Sequence, residues 1–230
     1  MHFLVEDDTA TIDMQDKLRL KLPPENALVS ANREDPIRYY YKPFLGRLYR
    51  QRINLGLSLL TYPVENVLDV GCGSGILAPT LIDACQHYTG IDIELPEASP
   101  YLARFSERAN FRQMDICKTD FPDNFFDAIM IFSILEHIPD LKSALYEIMR
   151  VLKPGGQCIS GFPMVNFFMH YCFRLAGFRE AEECHVNNPS RILKAISSVL
   201  KVKQIRTMPL WAYRSFALYT CVKATKPCAY

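Results

Sequence analysis

The chain has 230 residues, 49% of them hydrophobic and 22% charged, with a formal net charge of +1. That length supports one substantial core, the composition is that of an ordinary globular protein, and the near-zero charge argues against a nucleic-acid partner. The 8 cysteines include no C-x-x-C pair, so neither a zinc site nor a disulfide framework is signalled. No signal-peptide pattern opens the sequence and no apolar run approaches the roughly 18 residues of a spanning helix, so the expected compartment is the cytoplasm.

Residues 1–42 read as an N-terminal arm, polar over its first 35 residues, that can act as a lid. Its first 16 residues hold five acids and no Lys or Arg, whereas 33–52 hold six basic residues against Glu34 and Asp35. The basic segment 38–52 is either a solvated helix face or a surface for a phosphate or a membrane. Helical periodicity runs over 43–62, with Leu45, Leu48, Tyr49, Ile53, Leu57 and Leu60 on one face, Arg47, Arg50 and Asn54 opposite, and Pro43 in the first turn.

From residue 66 strands and helices alternate. Strands are expected at 66–70, 88–93, 111–116, 126–133 and 157–161, and helices at 76–85, 97–107 and 141–152. "KPGG" at 153–156 is expected to stop the last of these helices. Asn188-Pro189 should cap a helix reaching about residue 200. Two final strands, 202–206 and 215–223, should form an antiparallel pair at the sheet edge. The aromatic-rich stretch 162–178 is either a packed helix or a wall over a substrate pocket, and residues 162–190 are expected to cap the site in an otherwise single domain, 43–230. Such alternation implies crossover connections and a mostly parallel α/β sheet with helices on both faces.

The loop "VLDVGCGSG" (67–75) follows the first strand and opens the next element. Gly71, Gly73 and Gly75 let backbone N–H groups approach a ligand where open α/β sheets bind one. Their spacing is G-x-G-x-G rather than the G-x-G-x-x-G of dinucleotide sites, which counts against a nicotinamide oxidoreductase. Asp92 ends the second strand and can accept hydrogen bonds from both ribose hydroxyls of a nucleoside; a structural cap is the alternative. Asp115 can meet an adenine amino group, with Ile93 and Met114 near the ring faces, or be a plain loop residue.

Together "VLDVGCGSG", "GIDIE", "MDI", "FDAIMIFSILEHIPD" and "LKPGG" resemble, in order and spacing, the motifs of class I S-adenosylmethionine-dependent methyltransferases, near the UbiE-like and methyltransferase type 11 groups. The resemblance covers residues 67–161. It implies a Rossmann-like seven-stranded sheet whose last strand runs antiparallel, with S-adenosyl-L-methionine as cofactor. By position it implies that Asp69 and the loop Gly71, Cys72, Gly73 and Gly75 surround the methionine part, that Asp92 binds the ribose and Asp115 with Ile116 the adenine, and that Phe132 and Ser133 lie near the sulfonium.

Such an enzyme must align acceptor, methyl and sulfur and exclude water. His137 and His185 are the candidate bases for an acceptor that must lose a proton; His170 reads as packed. No ligand spacing suggests a metal, so metal-independent transfer is expected. The expected acceptor is a small or lipid-like molecule, with O-, N- or C-methylation open. The alternatives are a protein or RNA methyltransferase, disfavoured because the N-P-P-[YF] motif is missing, and a non-catalytic cofactor-binding scaffold.

Overall fold

The computed structural model describes residues 18–31, 35–96, 100–164, 186–209 and 217–228. Among these, seven strands form one sheet in the order β3-β2-β1-β4-β5-β7-β6. They are β1 (Val64–Val70), β2 (Cys85–Asp92), β3 (Ala109–Gln113), β4 (Phe126–Phe132), β5 (Leu152–Pro163), β6 (Lys201–Met208) and β7 (Tyr219–Thr225). All neighbouring pairs from β3 to β5 are parallel, while β7 runs antiparallel to both β5 and β6. The expected edge pair and antiparallel last strand are therefore present.

The central strands are apolar on both faces, as a doubly covered parallel sheet requires. Along β4, Ala128 and Met130 join one buried cluster and Ile129 and Ile131 the other. The first cluster is covered by α2 (Pro43–Leu57) and α3 (Ala78–Leu81), the second by α5 (Leu141–Val151) and α6 (Pro189–Val199). The short helices α1 (Ile37–Tyr40) and α4 (Pro100–Ala103) complete the set.

Local chemistry explains where the longer helices start. The Asp140 carboxylate accepts from the Ser143 N–H at 3.0 Å and caps α5. Asn188 does the same for α6 through the Arg191 N–H at 2.9 Å, with Pro189 in the first turn. Pro43 opens α2 as expected, but the helix ends at Leu57, not 62. Tyr62 precedes Pro63, and a residue before proline is pushed out of the helical region. The buried face of α2 includes Ile53 and Leu57, whereas Leu48, expected on it, is 42% exposed.

Several expected boundaries need correction. The helix expected over 76–85 is one turn, α3, because β1 pairs with β2 from Val64↔Cys85 and the chain must already be extended there. The helix expected over 97–107 is described as helical only over Pro100–Ala103, followed by turns. Arg108 then donates to the carbonyls of Ile82, Cys85 and Gln86, fixing the entry to β3. β3 begins two residues early and ends at Gln113, leaving Asp115 in the following loop. "KPGG" does not lie ahead of β5 but inside it, as a bulge: register jumps from Phe126↔Leu152 to Ala128↔Gln157, with Gly155 at φ +76°.

Part of the N-terminal arm is built into the core. Leu28 is buried, and Leu18, Leu20 and Leu22 pack on the cluster beneath α2. The Leu20 N–H donates to the Asn54 amide oxygen and the Lys21 N–H to the Thr80 hydroxyl. The stretch 165–185, which holds His170, His185 and most of the aromatic run, lies outside the described residues.

Candidate functional site

A cavity of about 410 Å3 opens at the C-terminal ends of β1, β2 and β4. Strand order reverses between β1 and β4, which is where doubly wound sheets open a crevice. Hydrogen bonds lock three loops together at this edge. The Gly71 and Cys72 N–H groups donate to the Ile91 carbonyl at 2.8 and 3.0 Å, and the Met114 N–H donates to the Asp92 carbonyl at 2.8 Å. The Gly73 N–H donates to the Asp92 carboxylate at 2.8 Å.

The sequence-predicted residues Asp69, Gly71, Cys72, Gly73, Asp92, Ile93, Met114, Asp115, Ile116, Phe132 and Ser133 all line the cavity, and so does His137. Gly75 is a correction. It does not line the cavity; its φ of +75° makes the turn, and a Cβ there would meet Leu102 Cδ1 at 2.7 Å and Phe111 Cε1 at 3.1 Å. Gly73 behaves differently: at φ +49°, an added Cβ would find nothing nearer than Asp35 Oδ2 at 3.5 Å. Its backbone therefore presents open space on the cavity side. His185 lies outside the described residues.

Three carboxylates stand at or just beyond three strand ends. Asp69 is buried and accepts from the Tyr88 hydroxyl at 2.8 Å. Burial pushes its pKa up to about 7; the Tyr88 hydrogen bond opposes this and the Asp92 charge adds to it. Asp92 also accepts from the Glu94 N–H at 3.2 Å, and Asp115 from the Cys117 N–H at 2.8 Å. The structural and binding readings of these two acids thus coexist in one geometry. The Cys72 thiol is pushed well up by burial and by neighbouring carboxylates, so it is no nucleophile.

On the opposite wall Phe132 and Ser133 were expected, but Tyr40 and Arg52 were not. Tyr40 and Arg52 line the cavity with Phe132, Ser133 and Ile134. Ser133 leaves β4 at φ +56°, an uncommon conformation for a non-glycine residue, and its hydroxyl lies 3.0 Å from that of Tyr219. Sequence analysis placed Arg52 on a basic surface. Its inward direction follows from the α2 packing, and the visible signal was Tyr49 three residues before it, one turn away on the same helix face. Glu136, next to His137, is buried, and among the described residues no other group lies within hydrogen-bond geometry of either carboxylate oxygen.

A protein-family model described as "Methyltransferase domain" matches residues 68–160. Over this stretch the sequence resembles a methyltransferase domain. The sequence resembles a sterol 24-C-methyltransferase of Gibberella zeae, 38% identical over 109 residues, which are 45% of this chain and 28% of that protein. It also resembles a ubiquinone biosynthesis O-methyltransferase of Pseudomonas fluorescens, 37% identical over 98 residues, 40% of this chain and 42% of that protein. The chain spans less than half the length of these curated relatives. The fold matches a geranyl diphosphate methyltransferase solved with S-adenosylmethionine, with TM-score 0.63, 16% identity and coverage of 92% of this chain and 98% of that one. It also matches the N-methyltransferase NodS of Bradyrhizobium japonicum, with TM-score 0.60, 19% identity and coverage of 86% and 95%. The matched stretch thus contains the C-terminal end of β1, all of β2, β3 and β4, and most of β5.

Proposed function

We propose that the protein transfers a methyl group from S-adenosylmethionine to a small-molecule or lipid-like acceptor. The observation that carries this reading is the convergence of the Gly71–Gly73 loop and three carboxylates, Asp69, Asp92 and Asp115, on one cavity beside β4. The relatives named above, a sterol and a ubiquinone-pathway methyltransferase, support an apolar or lipid-like acceptor class.

The residues present fit the cofactor. Gly73 leaves room for close backbone approach, and Asp69 offers a buried acceptor for an amino group. Asp92 can take ribose hydroxyls on lone pairs not used by Gly73 and Glu94. Ile93 is an apolar side chain 65% exposed at the cavity lining, where it can cover a flat ring with Met114. Bound there, S-adenosylmethionine supplies an activated methyl group, so the protein contributes alignment and exclusion of water.

His137 is the candidate proton acceptor among the described residues, since it reaches the cavity wall. The N-terminal arm serves as part of the closure, because Ala31, Asp35 and Pro36 line the cavity. The cap expected over 162–190 falls mostly on 165–185, outside the described residues, and is retained as part of the proposal. In support, the Val186 and Asn187 N–H groups donate to the Glu136 carbonyl at 2.9 and 3.0 Å, tying the end of that stretch beside the site. The working compartment is the cytoplasm, with peripheral contact to a membrane through 38–52. Phe44, 92% exposed, and Leu48 sit on α2 beside exposed Lys42 and Arg47.

The test is labelled methyl transfer from S-adenosylmethionine into a fractionated cell extract, with wild type and His137→Ala. Label entering the lipid or small-molecule fraction, and falling at least about tenfold in the variant, is the expected result for an acceptor that needs a base. Label confined to protein or RNA would overturn the acceptor class, and full turnover by His137→Ala would remove that residue as the base.

A further inference from the structure

Arg52 enters the cavity from α2, on the wall facing away from the glycine loop. Its guanidinium carbon lies 4.1 Å from the Tyr49 ring centre, 5.6 Å from that of Tyr219 and 5.9 Å from that of Tyr40. Its polar contacts are long: Nη1 donates to the Ser133 hydroxyl at 3.5 Å and Nη2 to the Tyr40 hydroxyl at 3.4 Å. Nε is buried with no hydrogen-bond partner among the described residues. Among the described residues Arg52 makes no ion pair.

A guanidinium offers five N–H donors and does not give up its proton in a protein. Holding that charge partly out of water, with the Glu136 carboxylate acting on it only from beyond ion-pair distance, is unfavourable and favours a bound anion. Aromatic rings offset part of the cost through cation–π attraction and fix the plane of the group. They leave its hydrogen-bonding edge unsatisfied, and a planar fork of donors matches an oxyanion.

The cavity is also polarised. Asp69 and Cys72, on the glycine-loop side, respond to the charge of Asp92, and Cys72 also to that of Asp35. Arg52 instead acts on Glu136, Tyr219 and Cys221, on the β4 and β7 side. The cation therefore stands with the acceptor wall rather than with the acids that frame the cofactor.

We propose that Arg52 recognises an anionic oxygen group on the methyl acceptor, a carboxylate or an ionised phenol-type hydroxyl, with the Ser133 and Tyr219 hydroxyls beside it. This rests on the methyl-transfer reading and names the chemical class of its acceptor. The three tyrosines are positioning residues that hold the guanidinium.

The test uses the full chain saturated with S-adenosylhomocysteine, titrated calorimetrically with benzoate, with 4-nitrophenol at a pH where it is ionised, and with benzyl alcohol as the neutral isostere. Wild type should bind at least one anion about tenfold or more tighter than the alcohol, as expected when a buried charge gains its counter-ion. Benzoate preference identifies a carboxylate group, and nitrophenolate preference an ionised hydroxyl. Arg52→Gln should abolish the preference and Arg52→Lys should keep part of it, with melting curves confirming that both variants fold. Equal binding of all three probes, or an unchanged preference in Arg52→Gln, would overturn the proposal. So would a tenfold or greater loss of S-adenosylhomocysteine affinity in Arg52→Gln, roughly the effect of removing a charged partner, because Arg52 would then serve the cofactor. If wild type does not bind S-adenosylhomocysteine, the methyl-transfer reading fails. The same probe series on the unliganded protein then still decides whether Arg52 selects anions.

Discussion

Glu136 carries a carboxylate that is 2% exposed and, among the described residues, has no other side chain or backbone group within hydrogen-bond geometry of either oxygen. Burial pushes its pKa up to about 7, and its own backbone N–H and then the Arg52 charge pull it partly back. A carboxyl group with a raised folded-state pKa stabilises the protein fully only below its unfolded pKa. That contribution is lost as pH rises through the folded value. Stability should therefore fall between about pH 4.5 and pH 7 on account of this residue, by a total on the order of 3 kcal/mol. Glu136→Gln should flatten this part of the profile and raise the melting temperature at mildly alkaline pH. A variant as pH-sensitive as wild type would show that the carboxylate is solvated. The glycines make a second, paired prediction. Gly73→Ala should cost only about 1 kcal/mol of stability, the ordinary left-handed strain, while weakening cofactor binding strongly. Gly75→Ala adds the collision with Leu102 and Phe111 and should cost about 2–3 kcal/mol. Melting temperature and S-adenosylmethionine affinity, measured on both, separate the two roles; equal affinity losses would contradict them.

At the scale of elements, α2 has two working faces. Its inner side supplies Ile53 and Leu57 to the core and Arg52 to the cavity, while Phe44, Leu48, Lys42 and Arg47 face outward. An aromatic anchor flanked by cations is the pattern of a surface that rests on anionic lipid. Phe44→Glu should abolish co-sedimentation with vesicles containing phosphatidylserine, without changing the melting temperature by more than a few degrees, since the ring touches little. Unchanged vesicle binding, or none by wild type, would remove the membrane from the account. The elements also show where sequence was readable. The Gly71 and Gly73 turn, the acids at 69 and 92, and the Asn188 cap follow from local backbone chemistry and appear as expected, whereas Asp115 lies in the loop after β3. The helices expected over 76–85 and 97–107 were read too long because buried residues such as Leu77, Ala78, Leu81, Ile82 and Cys85 keep a helical spacing past the end of the helix. The true limit at Cys85 is set by pairing with Val64, which no local pattern carries. Arg52 was misplaced for the same reason: its direction depends on how α2 crosses β4, β5 and β7.

At the scale of the molecule, the stretch that resembles a methyltransferase domain supplies most of the cavity lining and the flanks supply the rest. Asp35, Tyr40 and Arg52 come from before residue 68, and Tyr219 from after 160. The cofactor half of the site was legible in the sequence because family motifs carry it. The acceptor half was not, since it is assembled from residues distant in the chain. The central claim is that this cavity binds S-adenosylmethionine through Asp92 and the glycine loop. Calorimetric titration of wild type and Asp92→Asn, with NAD as the control ligand, tests it most directly. Asparagine can still accept the Gly73 N–H, so the loop should hold while a ribose acceptor is lost. The account predicts saturable binding of S-adenosylmethionine by wild type, no binding of NAD, and an affinity loss of about tenfold or more in the variant. Binding unaffected by Asp92→Asn, or preference for NAD, would contradict it.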